Sequence, residues 1–267
     1  MGSSRRLSPT ELGSKYDLDP ELVASAFESF DSWANILLAF SGKIGAGKDT
    51  TAPLSYERLG FPKDAQRIDA FGYELKAELN GLIATIGASP TIRAAATEIS
   101  QSSGVSFEEA ESTVRLIFDE IRAGELRSAY DRTTGSRAAL QYWATEVRRA
   151  QDPLYWVKPV VKRAIAAAAE GSSTLITDVR FLTEAWGVLD AGGSIVRIDI
   201  SEEEQRRRIL ERDGIEISEA AKSHSSETEL DRFDSFTVRV RAEDHRSAPE
   251  VARASAIGVA GAISTLF

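Results

Sequence analysis

Short apolar runs alternate with longer amphipathic segments along this chain, and this alternation predicts strands separated by helices. A mostly helical stretch occupies residues 73–169, and an alanine-rich helix over residues 249–266 ends the chain. The expected strands occupy residues 36–40, 67–68, 174–178, 194–200 and 235–240. Because strands that alternate with helices form parallel sheets, the pattern predicts an α/β fold with a parallel sheet.

The first 33 residues are polar and precede the first predicted strand. They contain two helix starts, at Ser8-Pro9 and at Asp19-Pro20, where a capping side chain is followed by a proline suited to the first helical position. Residues 1–33 are therefore predicted to form a helical arm, and residues 34–267 the main domain. We expect the arm to pack against the main domain or against a second subunit, which would make a homodimer.

The first predicted strand leads into a glycine-rich loop, Gly42-Lys-Ile-Gly-Ala-Gly-Lys48, which we call the glycine loop. Its spacing between a strand and a helix is typical of a P-loop, in which backbone N–H groups and the helix N-terminus bind nucleotide phosphates. Lys48 would reach the outer phosphates. A glycine-rich turn without a ligand is the alternative. The predicted ATP-binding residues are Gly42, Lys43, Gly45, Ala46, Gly47, Lys48, Asp49 and Thr50.

Magnesium is the cofactor expected with ATP. A P-loop lysine is usually followed by a hydroxyl residue that binds the metal, whereas this chain has Asp49. Either Asp49 or the hydroxyl of Thr50 could hold Mg²⁺. Asp178 ends an apolar strand, where open α/β sheets bind ligands, and it is the other predicted metal and catalytic carboxylate. A strand-end aspartate that caps the next helix is the alternative for Asp178.

Composition excludes several classes of protein. The chain has 267 residues and no cysteine, so disulfides, thiolate metal sites and thiol nucleophiles are excluded. A formal charge of -9 argues against a nucleic-acid partner. With no leader-like segment and no apolar run long enough to cross a bilayer, we expect a soluble cytoplasmic protein without a membrane partner.

Further segments resemble the motifs of bacteriophage deoxynucleoside monophosphate kinases. They are Leu140-Gln-Tyr-Trp-Ala-Thr-Glu-Val-Arg-Arg149 with Asp152-Pro-Leu-Tyr-Trp156, then Asp178-Val-Arg-Phe-Leu-Thr-Glu184-Ala, and His224-Ser-Ser-Glu227. The Gly-Lys-Asp-Thr sequence of the glycine loop is similar to that family and to phosphomevalonate kinases. The chain departs from the family pattern at Ala144, where glycine is common, and at Arg148, a position that is usually small.

The resemblance implies an acceptor-binding region at residues 70–169. Arg149 and Arg180 would bind the acceptor monophosphate, while Gln141, Glu146 and Trp156 would line or buttress its pocket. Trp143 is expected in the core. The full set of acceptor residues is Phe71, Lys76, Arg137, Gln141, Glu146, Arg149, Trp156, Arg180 and Glu184.

Residues 201–228 are predicted to form a lid. Ser201 and Glu204 have the spacing of a capping box, so a helix should begin there. Arginines 206, 207, 208 and 212 would lie on more than one face of that helix, which is either a solvated surface or, as in nucleotide kinases of this architecture, a lid that closes over the phosphates. His224 would anchor the return of the lid through Glu227. The predicted catalytic residues are Lys48, Asp178, Arg180, Arg206 and Arg208.

These features predict a three-layer P-loop NTPase fold, similar to adenylate kinase, with a helical insertion that binds nucleoside monophosphates. The expected reaction transfers a phosphoryl group from ATP to a deoxynucleoside 5'-monophosphate, and the resemblance implies a phage enzyme in the host cytoplasm. Two alternatives remain among kinases: 5-hydroxymethyluracil in phage DNA as the acceptor, or a small phosphorylated metabolite such as phosphomevalonate. A nucleotide-binding regulator without turnover is an alternative from another class.

Overall fold

The computed structural model describes residues 7–30, 37–60, 66–131, 133–214, 222–244 and 247–264. The chain divides into two compact units. Met1–Phe71 and Val157–Phe267 form the first, which contains the strands and is called the sheet unit; Gly72–Trp156 form the second, called the helical unit. The last helix of the predicted insertion, residues 157–169, belongs to the sheet unit.

The described strands form one parallel sheet in the order β2-β3-β1-β4-β5. They are β1 (Leu37–Gly42), β2 (Gln66–Asp69), β3 (Ser173–Val179), β4 (Ser194–Asp199) and β5 (Val238–Arg241). The predicted α/β fold with a parallel sheet is thus confirmed. The last strand begins at Val238, later than the expected residue 235. Just before it, the N–H of Thr237 donates to the carbonyl oxygen of Ile195, but the N–H of Ile195 donates to the side-chain hydroxyl of Thr237 and not to a backbone carbonyl.

The described helices are numbered in chain order. They are α1 (Pro9–Tyr16), α2 (Pro20–Phe30), α3 (Lys48–Arg58), α4 (Gly72–Ala88), α5 (Ile92–Ser103), α6 (Phe107–Ala123), α7 (Thr134–Tyr142), α8 (Val157–Ala169), α9 (Leu182–Asp190), α10 (Glu202–Asp213), α11 (Ser225–Thr228) and α12 (Ala248–Ser264). A π-helix (Trp143–Arg149) follows α7, and short 3₁₀ turns occupy Glu229–Arg232 and Ala242–Asp244. No described helix is long and apolar enough to cross a membrane.

The sheet unit has three layers. Helices α3 and α12 pack together and against the strands on one side, where Leu38, Phe40 and Val196 belong to a buried core. Helices α8 and α9 pack against β3 and β4, and α2 lies on α8. All six residues of β1 are buried, and because residues alternate between the two faces of a strand, both faces of β1 are covered.

The arm packs on the sheet unit of its own chain. Both predicted helix starts are confirmed: Ser8 forms a reciprocal capping box with Glu11, and α2 begins at Pro20. The hydroxyl of Tyr16 donates to Asp190 Oδ2 (2.7 Å), and burial together with that carboxylate raises the pKa of Tyr16. Lys15 contacts the same carboxylate (2.6 Å). These contacts fix the arm at the end of α9.

The helical unit has its own apolar core. Helices α4 to α7 and the π-helix contribute to it, and Trp143 and Trp156 are both fully enclosed. Trp143 is therefore a core residue, as expected. The π-helix coincides with the 140–149 segment that resembles the kinase family. Short π-helical segments are rare and are frequent at functional sites.

Arg148, which departs from the family pattern, is a buried structural residue. Its Nε donates to Glu78 Oε2 (3.0 Å) and its Nη1 to the carbonyl oxygen of Ser103 (3.0 Å). The guanidinium also lies 4.9 Å from the ring centroid of Trp143 and 4.8 Å from that of Tyr155. Burial and the bond to Glu78 raise the pKa of Tyr155 to about 12. Arg148 therefore links α4, the end of α5 and the π-helix.

We expect Arg148→Met to destabilise the protein by about 2 kcal/mol, because the half-buried carboxylate of Glu78 loses its charged partner and the carbonyl oxygen of Ser103 loses a donor. Urea unfolding followed by circular dichroism measures this change. The matched control is Arg115→Met, since Arg115 is exposed and pairs along α6 with Glu111. A loss below about 0.5 kcal/mol for Arg148→Met, equal to a surface substitution, would contradict this structural role.

Candidate functional site

The glycine loop connects β1 to α3 at the carboxyl edge of the sheet. Gly45 (φ +81°) and Gly47 (φ +86°) have left-handed backbones that favour glycine. Gly42 is needed for another reason, because a Cβ there would lie 2.9 Å from the carbonyl oxygen of Ile198. Strand β1 lies between β3 and β4, where successive connections run to opposite sides, and such switch points bind ligands in open α/β sheets.

Lys48 is the first residue of α3 and is only 7% exposed. Burial lowers its pKa, the positive charge of Arg180 lowers it further, and the carboxylates of Asp49 and Asp178 act in the opposite direction. Lys48 Nζ lies 3.2 Å from Asp49 Oδ1. The structure therefore brings together four of the predicted residues: one lysine, one arginine and two carboxylates.

The two carboxylates differ in their surroundings. Asp178 is half-buried, and its Oδ1 accepts the N–H of Phe71 (2.8 Å), which orients it at the end of β3. The side chain of Asp49 is 76% exposed at the start of α3, and Thr50 is also exposed. The side chain of Phe71, a predicted acceptor residue, is buried, and Phe71 contributes to the site through the backbone N–H that binds Asp178.

A magnesium ion fits these residues. Mg²⁺ usually binds one or two carboxylates, water and substrate phosphates rather than a complete protein cage. Asp49 and Asp178, whose negative charges both act on Lys48, are the carboxylates that would supply such ligands. Within the described residues no group of three or more His, Asp or Glu side chains could hold a metal by itself.

Arg180 follows β3 and is held by two glutamates. Its N–H and that of Phe181 donate to Glu184 Oε2 (2.8 and 3.1 Å), so the buried carboxylate of Glu184 caps α9. The guanidinium of Arg180 contacts Glu227 through Nη1. Glu184 thus fixes the backbone of Arg180, and Glu227 fixes its charged group.

Helix α10 begins at the predicted place, but only half of the capping box forms. Ser201 Oγ accepts the N–H of Glu204 (3.3 Å), whereas the N–H of Ser201 donates to Glu243. The carboxylate of Glu204 bonds instead to Arg207 and Arg208. The hydrogen bond from Arg207 is the main reason that the pKa of Glu204 falls to about 2.

One arginine of α10 reaches the glycine loop. Arg208 is half-buried, and its Nη1 lies 3.5 Å from the carbonyl oxygens of Gly45 and Ala46. Arg206 and Arg212 are exposed. Arg207 is exposed as well and is engaged by two glutamates of its own helix. Arg208 therefore differs from the other three arginines of α10, because it is half-buried against the glycine loop.

Sequence reasoning missed two side chains that hold the glycine loop. Gln205 Nε2 donates to the carbonyl oxygen of Ile44 (2.9 Å), and Glu227 Oε2 accepts the N–H of the same residue (2.8 Å). His224 does not bind Glu227 through its side chain: its Nδ1 caps α11 by accepting the N–H of Ser226 (3.2 Å). In the sequence, Glu227 could have been found from the motif at residues 224–227, whereas no sequence pattern pointed to Gln205.

The remaining acceptor candidates lie in the helical unit. Arg137 and Gln141 are four residues apart and share one face of α7. Glu146 is exposed and Arg149 half-buried in the π-helix. Lys76 lies over the ring of Tyr130 (4.7 Å).

Trp156 supports the core of the helical unit. Its side chain is 2% exposed, and its Nε1 donates to the carbonyl oxygen of Ala144 (3.2 Å). This buried position favours the prediction that Trp156 buttresses the acceptor pocket over the prediction that it lines the pocket.

A scan against models of known protein families finds no match for the chain, and a search of curated proteins also finds none.

Proposed function

We propose that the protein is a P-loop kinase that transfers the γ-phosphoryl group of ATP to a deoxynucleoside 5'-monophosphate and releases ADP and the diphosphate. The observation that carries this proposal is the group formed by the glycine loop, Lys48, Arg180 and the carboxylates of Asp49 and Asp178. Turns with left-handed glycines followed by a helix N-terminus suit a polyphosphate, and buried cations suit the charge that develops during phosphoryl transfer.

The reaction needs no covalent intermediate. An oxygen of the acceptor phosphate attacks the γ-phosphorus, and the bond from that phosphorus to the β–γ bridging oxygen breaks. Lys48 and Arg208 would stabilise the donor phosphates, and Arg180 would bind the acceptor phosphate. For Arg149, in the helical unit, the acceptor role is what the resemblance implies. A magnesium ion held by Asp178 and by Asp49 or Thr50 would neutralise charge on the donor. The bound substrates would exclude water, which suppresses hydrolysis of ATP.

The acceptor class follows from the segments that resemble the phage kinases, and it implies a role in nucleotide metabolism in the cytoplasm of a phage-infected cell. A DNA acceptor would require a basic track, and the formal charge of -9 argues against it. A phosphorylated metabolite is the other acceptor alternative, since the glycine loop is also similar to that of phosphomevalonate kinases. A regulator without turnover is less favoured, because the site combines Lys48 with Asp178 and arginines, the groups that phosphoryl transfer requires.

A panel of acceptors tests the proposal. The purified protein is incubated with Mg-ATP and each deoxynucleoside monophosphate, a deoxynucleoside, phosphomevalonate or duplex DNA containing 5-hydroxymethyluracil, and ADP release is measured with a coupled assay. We expect release only with deoxynucleoside monophosphates. Release with another member of the panel would reassign the acceptor, and ATP binding without release in any mixture would support the regulator.

Arg149→Gln should weaken the acceptor monophosphate by about 1.5 to 3 kcal/mol, the range for a hydrogen bond to a charged group, while ATP affinity stays the same. Isothermal titration with each nucleotide alone measures both affinities. Arg115→Gln, an exposed arginine of the same unit, is the control. Equal losses for ATP and the monophosphate would refute the assignment of Arg149 to the acceptor.

A further inference from the structure

The backbone of Ile44, in the middle of the glycine loop, is held through both of its polar groups, which belong to two successive peptide groups. Its N–H donates to Glu227 Oε2 (2.8 Å), and its carbonyl oxygen accepts from Gln205 Nε2 (2.9 Å). The side chains of Gln205, on α10, and Glu227, on α11, are both buried. We call Gln205, Glu227 and the backbone of Ile44 the Ile44 clamp. A loop residue whose N–H and carbonyl oxygen are both bonded to buried side chains has little freedom to rotate either of the peptide groups that flank it.

The second carboxylate oxygen of Glu227 contacts Arg180. Arg180 lies near enough to Lys48 for its charge to disfavour the protonated lysine. A phosphate site requires both of these cations, which repel each other. The carboxylate of Glu227, in contact with Arg180, therefore offsets this repulsion. Because a guanidinium carries five N–H donors, its contact with Glu227 can coexist with contacts to a phosphate. One buried side chain thus connects the glycine loop with the arginine at the end of β3.

We propose that Glu227 is a positioning residue, which fixes the backbone N–H of Ile44 and the Arg180 guanidinium in the arrangement needed for phosphoryl transfer. It acts through these two groups and not on the substrates. The expected effect on turnover rests on the proposed function. The Ile44 clamp itself can be tested in the absence of any substrate.

The kinetic test uses Glu227→Gln. Glutamine keeps the size and one acceptor oxygen, so it can still hold the Ile44 N–H, but its NH₂ group faces Arg180 with donors instead of an acceptor. We expect the turnover number to fall by about tenfold to a hundredfold, the equivalent of losing a charged hydrogen bond, with the KM for ATP changed by less than about threefold. A merely structural role would lower stability and leave the turnover number of the folded enzyme unchanged.

A double-mutant cycle separates positioning from general damage. In the Arg180→Gln background, Glu227→Gln should have little further effect on turnover, because the group that Glu227 positions is already lost. The control is Glu229→Gln, two residues along, where the carboxylate accepts the N–H of Leu182 and makes no contact with the glycine loop. It should leave turnover within about twofold. Multiplicative effects of the Arg180 and Glu227 variants would overturn the proposal.

Hydrogen exchange of the Ile44 amide tests the clamp in the substrate-free protein. We expect exchange at least about tenfold faster in Glu227→Ala, a smaller change in Glu227→Gln and none in Glu229→Gln. Unchanged exchange in Glu227→Ala, with the variant shown to be folded by circular dichroism, would overturn the clamp. If the parent protein phosphorylates no acceptor, the proposed function fails, and the exchange result still decides whether Glu227 holds the loop.

Discussion

Lys48→Ala is expected to lower the turnover number by at least about a hundredfold, because loss of one preorganised donor to developing charge typically costs that much. Lys48 begins α3, is buried and lies beside two carboxylates and Arg180. Its burial lowers its pKa, so the protein supports this charge at an energetic cost that a bound polyphosphate would offset. Steady-state kinetics with saturating ATP and acceptor measure the loss.

The control for this variant is Lys158→Ala. Lys158 lies on α8 and pairs with Asp17 of the arm, far along the chain from the glycine loop. It should retain parental turnover, and circular dichroism should give the same spectrum for both variants. If Lys48→Ala turned over as fast as Lys158→Ala, the glycine loop would not be the donor site.

Arg208→Ala is expected to reduce turnover by about a thousandfold, the lower range for an arginine that stabilises a transferring phosphoryl group. The guanidinium of Arg208 lies over the glycine loop, near the carbonyl oxygens of Gly45 and Ala46. Gln205 and Ile209 hold the same face of α10 against that loop. Substrate affinities should change much less than turnover, since the arginine is expected to act on the charge of the transition state.

The neighbouring Arg207 provides a matched control. It has the same side chain on the same helix but points to solvent, where it pairs with Glu204 and Glu211. Exposed ion pairs contribute little, so Arg207→Ala should keep turnover within about twofold. Equal behaviour of the Arg207 and Arg208 variants would show that α10 is only a solvated helix.

Most of the sheet could be predicted from the sequence because its central strands contain short apolar runs. Residues 37–40 are buried on both faces of β1, and Leu175 and Ile176 are buried in β3, as expected in the middle of a layered α/β fold. The glycine loop could be predicted for a similar reason, since strand, glycine spacing and lysine occur in one short segment. The edge strand β5 was placed less well, because Arg239 and Arg241 leave its pattern only half apolar.

The details of the site could not be predicted in the same way, because they depend on contacts between distant segments. Glu227 and Gln205 hold Ile44 from 183 and 161 residues away. The choice of Arg208 among four arginines depends on the rotation of α10 against the glycine loop. Arg148 is explained only by the ring of Trp143 and the carboxylate of Glu78, which converge on it in the folded helical unit.

The most direct test of the central claim is the identity of the phosphorylated product. The protein is incubated with Mg-ATP and one deoxynucleoside monophosphate, and ³¹P NMR follows all phosphorus species. We expect ADP and the deoxynucleoside diphosphate in equal amounts, with no inorganic phosphate beyond background, for at least one of the four common bases. Formation of ADP with inorganic phosphate, or unchanged ATP with every base, would contradict it.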